Sequence, residues 1–336
     1  MVKITDVARR AGVSPSTVSY ALSGKRPISD ETRRRVEAAA RDLGYRPHAA
    51  ARAVAGARAN VLALAAPLRP GVHVPVVMRL AESVVTTARA HAHDVLLLTQ
   101  EEAEEGLSRA VHTASVDGLL LTDVELHDPR LPRLRSLDRP SVLIGVPANT
   151  YGLTCVDLDF RAAGEACVKH LAELGHRTVA LVGSPPEVYL RRTAYAHHLM
   201  HGFTTAATHH RLASSVHPGG PDPATAPRLA ERLLHEHPAL TAVVVHNEPL
   251  LAPLIAAFEH LGLRVPADLS VTAVCPDNLA ATPRVPVTSV SLPADELGAR
   301  AVDLLIRKLH GTPVPETTLL PPRLTERAST SRRMPA

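Results

Sequence analysis

The sequence predicts an α/β chain: a small all-helical N-terminal head, followed by a larger body of parallel sheets covered by helices. Three observations carry this. Apolar residues recur at helical spacing through the first 45 positions, punctuated by Gly12 and Gly44. From Asn60 onward, short apolar runs alternate with amphipathic stretches, the pattern of strand–helix–strand units. The charge is also divided: residues 1–58 carry 12 Lys/Arg against 5 Asp/Glu, a net of +7, while the remainder carries 25 against 28, a net of −3.

In the head, Ile4, Val7, Ala8 and Ala11 form one helical face, with Thr5 or Asp6 serving the first turn. Gly12 ends that helix because it can take a left-handed cap. Ser14 and Pro15 start a second helix as N-cap and first-turn residue, running to about Leu22. After the turn at 23–27, Ser29 or Asp30 caps a third helix to about Leu43, with Val36, Ala39, Ala40 and Leu43 inward. Two short helices joined by a tight turn and braced by a third describe a helix-turn-helix. A basic head of this shape on a slightly acidic body is the electrostatic outline of a nucleic-acid-binding unit joined to a partner module.

In the body, strands are expected at 61–66, 95–98, 118–121, 142–146, 178–182, 242–245 and 269–274. Helices are expected at 78–91, 161–174, 227–235 and 249–261. At 336 residues the chain exceeds one ordinary domain, and its 45% apolar content supports a core built from Leu, Val and Ala, since aromatics are only 2%. No stretch reaches the roughly 20 apolar residues that cross a bilayer, so no membrane role is expected. Residues 1–6 lack the apolar core of an export signal. Cys155, Cys167 and Cys275 are odd in number and widely spaced, which fits reduced thiols in a cytoplasm.

Several motifs resemble one family. Ile4-Thr5-Asp6-Val7-Ala8, Ala11-Gly12-Val13-Ser14, Thr17-Val18-Ser19, Thr32-Arg33 and Leu43-Gly44-Tyr45-Arg46-Pro47 look like the headpiece of the lactose/galactose repressor (LacI/GalR) family. In the body, Leu174-Gly175-His176-Arg177, Gly202-Phe203, Gly262-Leu263-Arg264-Val265-Pro266 and Arg327-Ala328-Ser329-Thr330 resemble its sensor. The resemblance spans essentially the whole chain. It implies a headpiece at 1–46, a hinge at 47–58 and a two-subdomain sensor at 59–330 like the periplasmic binding proteins (type I), before a tail at 331–336. One subdomain is expected at about 59–158 with 289–316, the other at about 159–288 with 317–330.

By the same resemblance, Pro15, Ser16 and Tyr20 face bases in the major groove of double-stranded operator DNA, while Thr5, Thr17, Ser19, Thr32 and Tyr45 hold phosphates. Phosphate contacts fix register; base-edge contacts choose sequence. Tyr20 stands where many family members carry Arg, so one hydroxyl and a ring replace a bidentate guanine contact. The hinge brings His48, Ala51 and Val54 to the minor groove, with Val54 as the apolar wedge. Ten residues are too few for a stable isolated helix, so the hinge is expected to fold on DNA against a partner's hinge. The implied protein is a homodimeric repressor, cytoplasmic and associated with the nucleoid, whose DNA affinity responds to a small-molecule effector.

The expected effector positions are Val76, Val77, Leu199, Asn247, Glu248 and Cys275. Leu199 stands where sugar-binding relatives have Arg, Cys275 where they have Asp, and Val76 and Val77 replace aromatics; a displaced Asp277 is the substitute for the missing acid. A cleft so altered predicts a ligand less polar than a sugar, or loss of effector control. Asn247 and Glu248 are either ligand-facing or an N-cap before Pro249. His197, His198 and His201 include an i,i+4 pair, but 19 histidines are scattered along the chain, and no metal or cofactor is expected. No nucleophile–base set stands out, so neither an enzyme nor a solute-binding protein without a DNA role accounts for the whole sequence.

Overall fold

A computed structural model of the chain describes residues 2–23, 28–45, 59–99, 116–137 and 139–333. The head has three helices, α1 (Ile4–Ala11), α2 (Pro15–Ser23) and α3 (Asp30–Asp42). Gly12 caps α1 at φ 66°, in the left-handed region where a Cβ is strained. The Asp6 carboxylate accepts from the Lys3 amide at 2.9 Å, satisfying a donor that the helix leaves free. Ser14 Oγ accepts from the Thr17 amide at 3.1 Å to start α2, and Ser29 Oγ accepts from the Thr32 amide at 3.3 Å to start α3. Val7, Ala8, Val18, Ala21, Val36 and Ala39 close a small core, and Arg35 bridges α3 to the Ala11 carbonyl at 3.0 Å.

The body is two six-stranded sheets. The first has the order β2-β1-β3-β4-β5-β11, from β1 (Val61–Ala65), β2 (Asp94–Leu98), β3 (Gly118–Leu121), β4 (Ser141–Ile144), β5 (Cys155–Leu158) and β11 (Thr317–Leu320), all parallel. The second has the order β7-β6-β8-β9-β10-β12, from β6 (Thr178–Gly183), β7 (Ala213–Pro218), β8 (Ala242–Val245), β9 (Ser270–Cys275), β10 (Thr288–Ser291) and β12 (Leu324–Thr325). Among the described strands, β12 alone runs antiparallel to its neighbour.

The helices cover both faces of each sheet, and the period of two along the strands fills both cores. On β3, Leu120 faces α4 (Val74–Ala90) and α12 (Ala294–Leu309), while Leu119 and Leu121 face α5 (Arg130–Ser136). In the second sheet, Leu181 and Val244 pack on α6 (Phe160–Glu173) and α8 (Ala194–His209). Val243 and Val245 pack on α9 (Ala226–Glu236) and α10 (Leu251–His260). Two short helices, α7 (Pro186–Leu190) and α11 (Asp277–Ala281), follow β6 and β9.

The chain crosses between layers three times: after β5, after β10 and after β11. The last two crossings differ from the expected boundaries at 289 and 317. Residue 289 lies within β10, which is hydrogen-bonded to β9, and 317–320 form β11, which is hydrogen-bonded to β5. β10 was not expected at all. Its sequence Thr-Ser-Val-Ser is polar, yet buried, because its hydroxyls and amides are paired; the Thr288 amide donates to Ser329 Oγ at 2.8 Å. No described helix is long and apolar enough to cross a membrane.

Candidate functional site

Two sites follow from this architecture. In the head, Pro15 and Ser16 are exposed at the start of α2, and Thr17, Ser19 and Tyr20 are partly exposed along it. Ser14 Oγ lies 2.8 Å from both Ser16 Oγ and Thr17 Oγ1, so the first turn carries a linked row of hydroxyls. Thr5 is exposed on α1, and Thr32 Oγ1 accepts from Ser29 Oγ at 2.9 Å at the start of α3. Tyr45 differs from a free surface contact: its side chain belongs to the head's core at 9% exposure. His48, Ala51 and Val54 lie outside the described residues.

The second site is a cavity of about 390 Å³ where the two layers meet. It opens at the carboxyl ends of the strands: Thr122 and Asp123 follow β3, Gly145 follows β4, Ser184 follows β6, and His246 to Pro249 follow β8. Val76 and Val77, in the first turn of α4, line it as apolar wall, and Asn247 and Glu248 line it too.

Two expected positions are corrected. Leu199 is fully buried in the core with Phe203, Cys167 and Leu171 and does not line the cavity. It lies one turn below Tyr195 on the same face of α8, so Tyr195 takes the cleft end and Leu199 the core. Cys275 ends β9 at 1% exposure, in the second layer's core with Ala273 and Ala280 rather than in the cleft; burial pushes its thiol up to about 12. The displaced Asp277 points away, accepting from Arg327 and from Ser291 Oγ, each at 3.0 Å.

The cleft does not lack rings, contrary to the expectation drawn from Val76 and Val77. Phe160, Tyr195 and His246 form a wall, with centroids 5.6 Å (Phe160–Tyr195), 5.7 Å (Phe160–His246) and 5.6 Å (Tyr195–His246) apart. None of the three was singled out from sequence, nor was Asp157, which lies in the middle of β5. An acid inside an apolar run, and a histidine directly after one, were the available signals.

The electrostatics are set by burial. Asp123 is held by Arg69 at 3.0 Å, and Arg69 also reaches Glu125 at 2.9 Å. Asp157 is pushed up to about 8 by desolvation, against one bond from the Leu158 amide. Glu248 is pushed up to about 7, again by desolvation, and His246 down to about 4. His73 Nδ1 stands 3.7 Å from Glu248, too far for a hydrogen bond, and burial lowers its pKa as well.

Asn247 occupies the N-cap position of a single 3-10 turn but does not cap it. Its Nδ2 donates to the carbonyls of Gly183 at 3.2 Å and Gly219 at 3.0 Å, and Oδ1 has no partner among the described residues. A Cβ on Gly219 would come within 2.9 Å of that nitrogen, which is why glycine stands there.

Two of the three histidines at 197–201 face backbone carbonyls. His198 donates to the Val146 carbonyl at 2.9 Å and His197 lies 3.3 Å from the Tyr189 carbonyl. A different trio, His217, Glu236 and His237, holds potential ligand atoms within 4.8 Å of one another beside β7.

A helix-turn-helix head presenting its second helix, joined to a two-layer body with a cleft at the strand ends, defines a DNA-binding transcriptional regulator with a small-molecule sensor. Residues 3–48 match the model for bacterial regulatory proteins of the lacI family, and residues 168–330 match that for a periplasmic binding protein-like domain. The head is thus that of the lacI family of bacterial regulatory proteins, and the body carries a periplasmic binding protein-like domain. It is 27% identical to the HTH-type transcriptional regulator MalR of Staphylococcus xylosus, over 98% of both chains. It is 28% identical to the HTH-type transcriptional repressor CytR of Escherichia coli K12, over 91% of this chain and 89% of that one. Among solved structures, the Lac repressor dimer bound to operator and the anti-inducer ONPF superposes with a TM-score of 0.78, at 25% identity over 98% of this chain and 99% of that one.

Proposed function

We propose that the protein is a repressor that binds a near-palindromic operator as a homodimer, with a small molecule in the cleft modulating its affinity for DNA. The observation that carries this is the pairing of one exposed hydroxyl-bearing helix start with a cleft lined by both layers. Pro15, Ser16 and Tyr20 read bases from α2 in the major groove; Thr5, Thr17, Ser19, Thr32 and the Tyr45 hydroxyl hold phosphates. Residues 1–46 are the headpiece, 47–58 the hinge and 59–330 the sensor. His48 and Ala51 line the minor groove, and Val54 is the wedge. Three buried, unpaired cysteines fit a reducing cytoplasm, where a nucleoid-bound regulator works.

One headpiece reads half a palindrome, so two copies are required. Met78 and Val85 on α4 and Leu97 on β2 supply apolar surface for that pairing, each more than a third exposed in the single chain. The Lac repressor structure is itself a dimer bound to operator and to an anti-inducer, which supports the same assembly here.

Light scattering of the full chain tests the assembly: a dimer is expected, and a discrete tetramer without DNA rejects it. Val54→Gly tests the hinge. It should weaken operator binding far more than binding to unrelated DNA, and equal losses reject the wedge.

A further inference from the structure

The hydrogen-bonding capacity left unspent in the cleft is acceptor capacity. Three of its neutral donors are engaged on carbonyls: Asn247 Nδ2 on those of Gly183 and Gly219, Thr122 Oγ1 on that of Ala65 at 3.2 Å, and Ser184 Oγ on that of His246 at 3.5 Å. What remains are the carboxyls of Asp157 and Glu248 and the Asn247 Oδ1, the last without a partner among the described residues. Asn247 is 3% exposed, so solvent does not satisfy that oxygen.

The charge balance has the same sign. Among the described lining residues there is no Lys or Arg. Asp123 has Arg69 beside it, but among the described residues no cation accompanies Asp157 or Glu248. The imidazoles of His73 and His246 are held neutral by burial and supply no charge. Two carboxyls therefore sit in a largely apolar cleft with nothing to balance them once ionised. That is expensive unless a ligand brings the opposite charge. The ring wall of Phe160, Tyr195 and His246 adds a surface whose π-faces favour a cation over a neutral group of the same shape.

A polyol matches this site poorly. Each hydroxyl brings an acceptor with its donor, and the cleft offers few donors in return. Taking the cleft as the effector site of the proposed repressor, we infer that its ligand is a small organic cation with N–H donors, a protonated alkyl- or arylalkylamine. Its ammonium group is taken by one of the two carboxyls that have no cation, Glu248 or Asp157, and its apolar body lies against Phe160, Tyr195 and the valines of α4. The cavity of about 390 Å³ admits a molecule of that size.

The test is calorimetric titration of the full-length protein with 2-phenylethylammonium and with its neutral isostere 2-phenylethanol, at neutral pH, with D-glucose as a third ligand. The ammonium ion should bind roughly tenfold more tightly than the alcohol. Glu248→Gln or Asp157→Asn should erase most of that preference, and its survival in both variants overturns the inference. Equal binding of amine and alcohol, or tighter binding of glucose than of either, overturns the inference. Operator binding is measured on the same preparation. A cleft that ignores the amine in a protein that still binds operator thus overturns the cation class while leaving the repressor standing.

Discussion

Arg327 donates through Nη2 to the Asp277 carboxylate at 3.0 Å, tying the C-terminal segment to the start of α11 and holding that acid out of the cleft. The same guanidinium reaches the Val287 carbonyl at 2.9 Å and Ser289 Oγ at 2.7 Å through Nη1. Asp277 is 57% exposed, so the ion pair alone contributes only about 0–1 kcal/mol. Asp277→Asn should therefore leave ligand affinity unchanged and barely move the melting temperature. Arg327→Ala should cost about 2 kcal/mol, because bonds to β10 and its approach are lost as well. A large loss of ligand affinity in Asp277→Asn would return that residue to the site.

Where α6 crosses α8, Gly164 and Gly202 let the backbones touch. A Cβ on Gly164 would lie 2.5 Å from the Leu199 carbonyl oxygen, and one on Gly202 would collide with the Arg161 carbonyl. Both obstacles are backbone, which cannot rotate aside. Gly202→Ala should destabilise the second layer by about 1–3 kcal/mol, read as a lower calorimetric transition. An unchanged transition would mean that the helices separate at little cost.

Stability should depend on pH in a direction the cleft sets. Asp157 and Glu248 have folded values of about 8 and about 7, above their ordinary values of 3.8 and 4.5. Their contribution to stability is thus present in acid and lost as pH rises through those folded values. His176 and His246 are depressed from 6.5 to about 4, chiefly by burial, so theirs is present above 6.5 and lost as pH falls toward 4. The two effects oppose each other below 6.5; above it the carboxyls act alone. The ligand-free protein should lose melting temperature from pH 6.5 to 8, and Glu248→Gln should flatten that decline. A melting temperature that rises over this interval would contradict the buried-acid assignment.

On the head, Tyr20→Ala should change which operator sequences are preferred. Thr5→Ala, which removes a proposed phosphate contact without removing charge, should weaken all operators alike. Competition binding against a panel of single-base operator variants separates the two. A shift of preference in Thr5→Ala would reverse the assigned roles.

How much of this was legible in the sequence depended on burial. Continuous apolar strands such as Ala242–Val245 were readable, as were the caps at Gly12 and Ser14. β5 was missed because Asp157 interrupts its apolar run, and β10 because its buried residues are hydroxyl-bearing. The same feature that hid β5 placed an acid in the cleft. Leu199 and Cys275 followed from positions in a familiar pattern, which cannot tell which turn of a helix reaches the cleft and which supports it. Val76, Val77, Asn247 and Glu248 do line the cavity, because each sits at an element's first turn or a strand's end, where direction follows from connectivity.

The central claim is that a dimer reads DNA sequence through α2. Its most direct test is selection of binding sites from a random DNA pool by the full-length protein, repeated at two salt concentrations. Recovery of a near-palindrome, bound more tightly at low salt, is the predicted result. Recovery of salt-sensitive binding with no sequence preference would contradict it, leaving a basic head that holds DNA but does not read it.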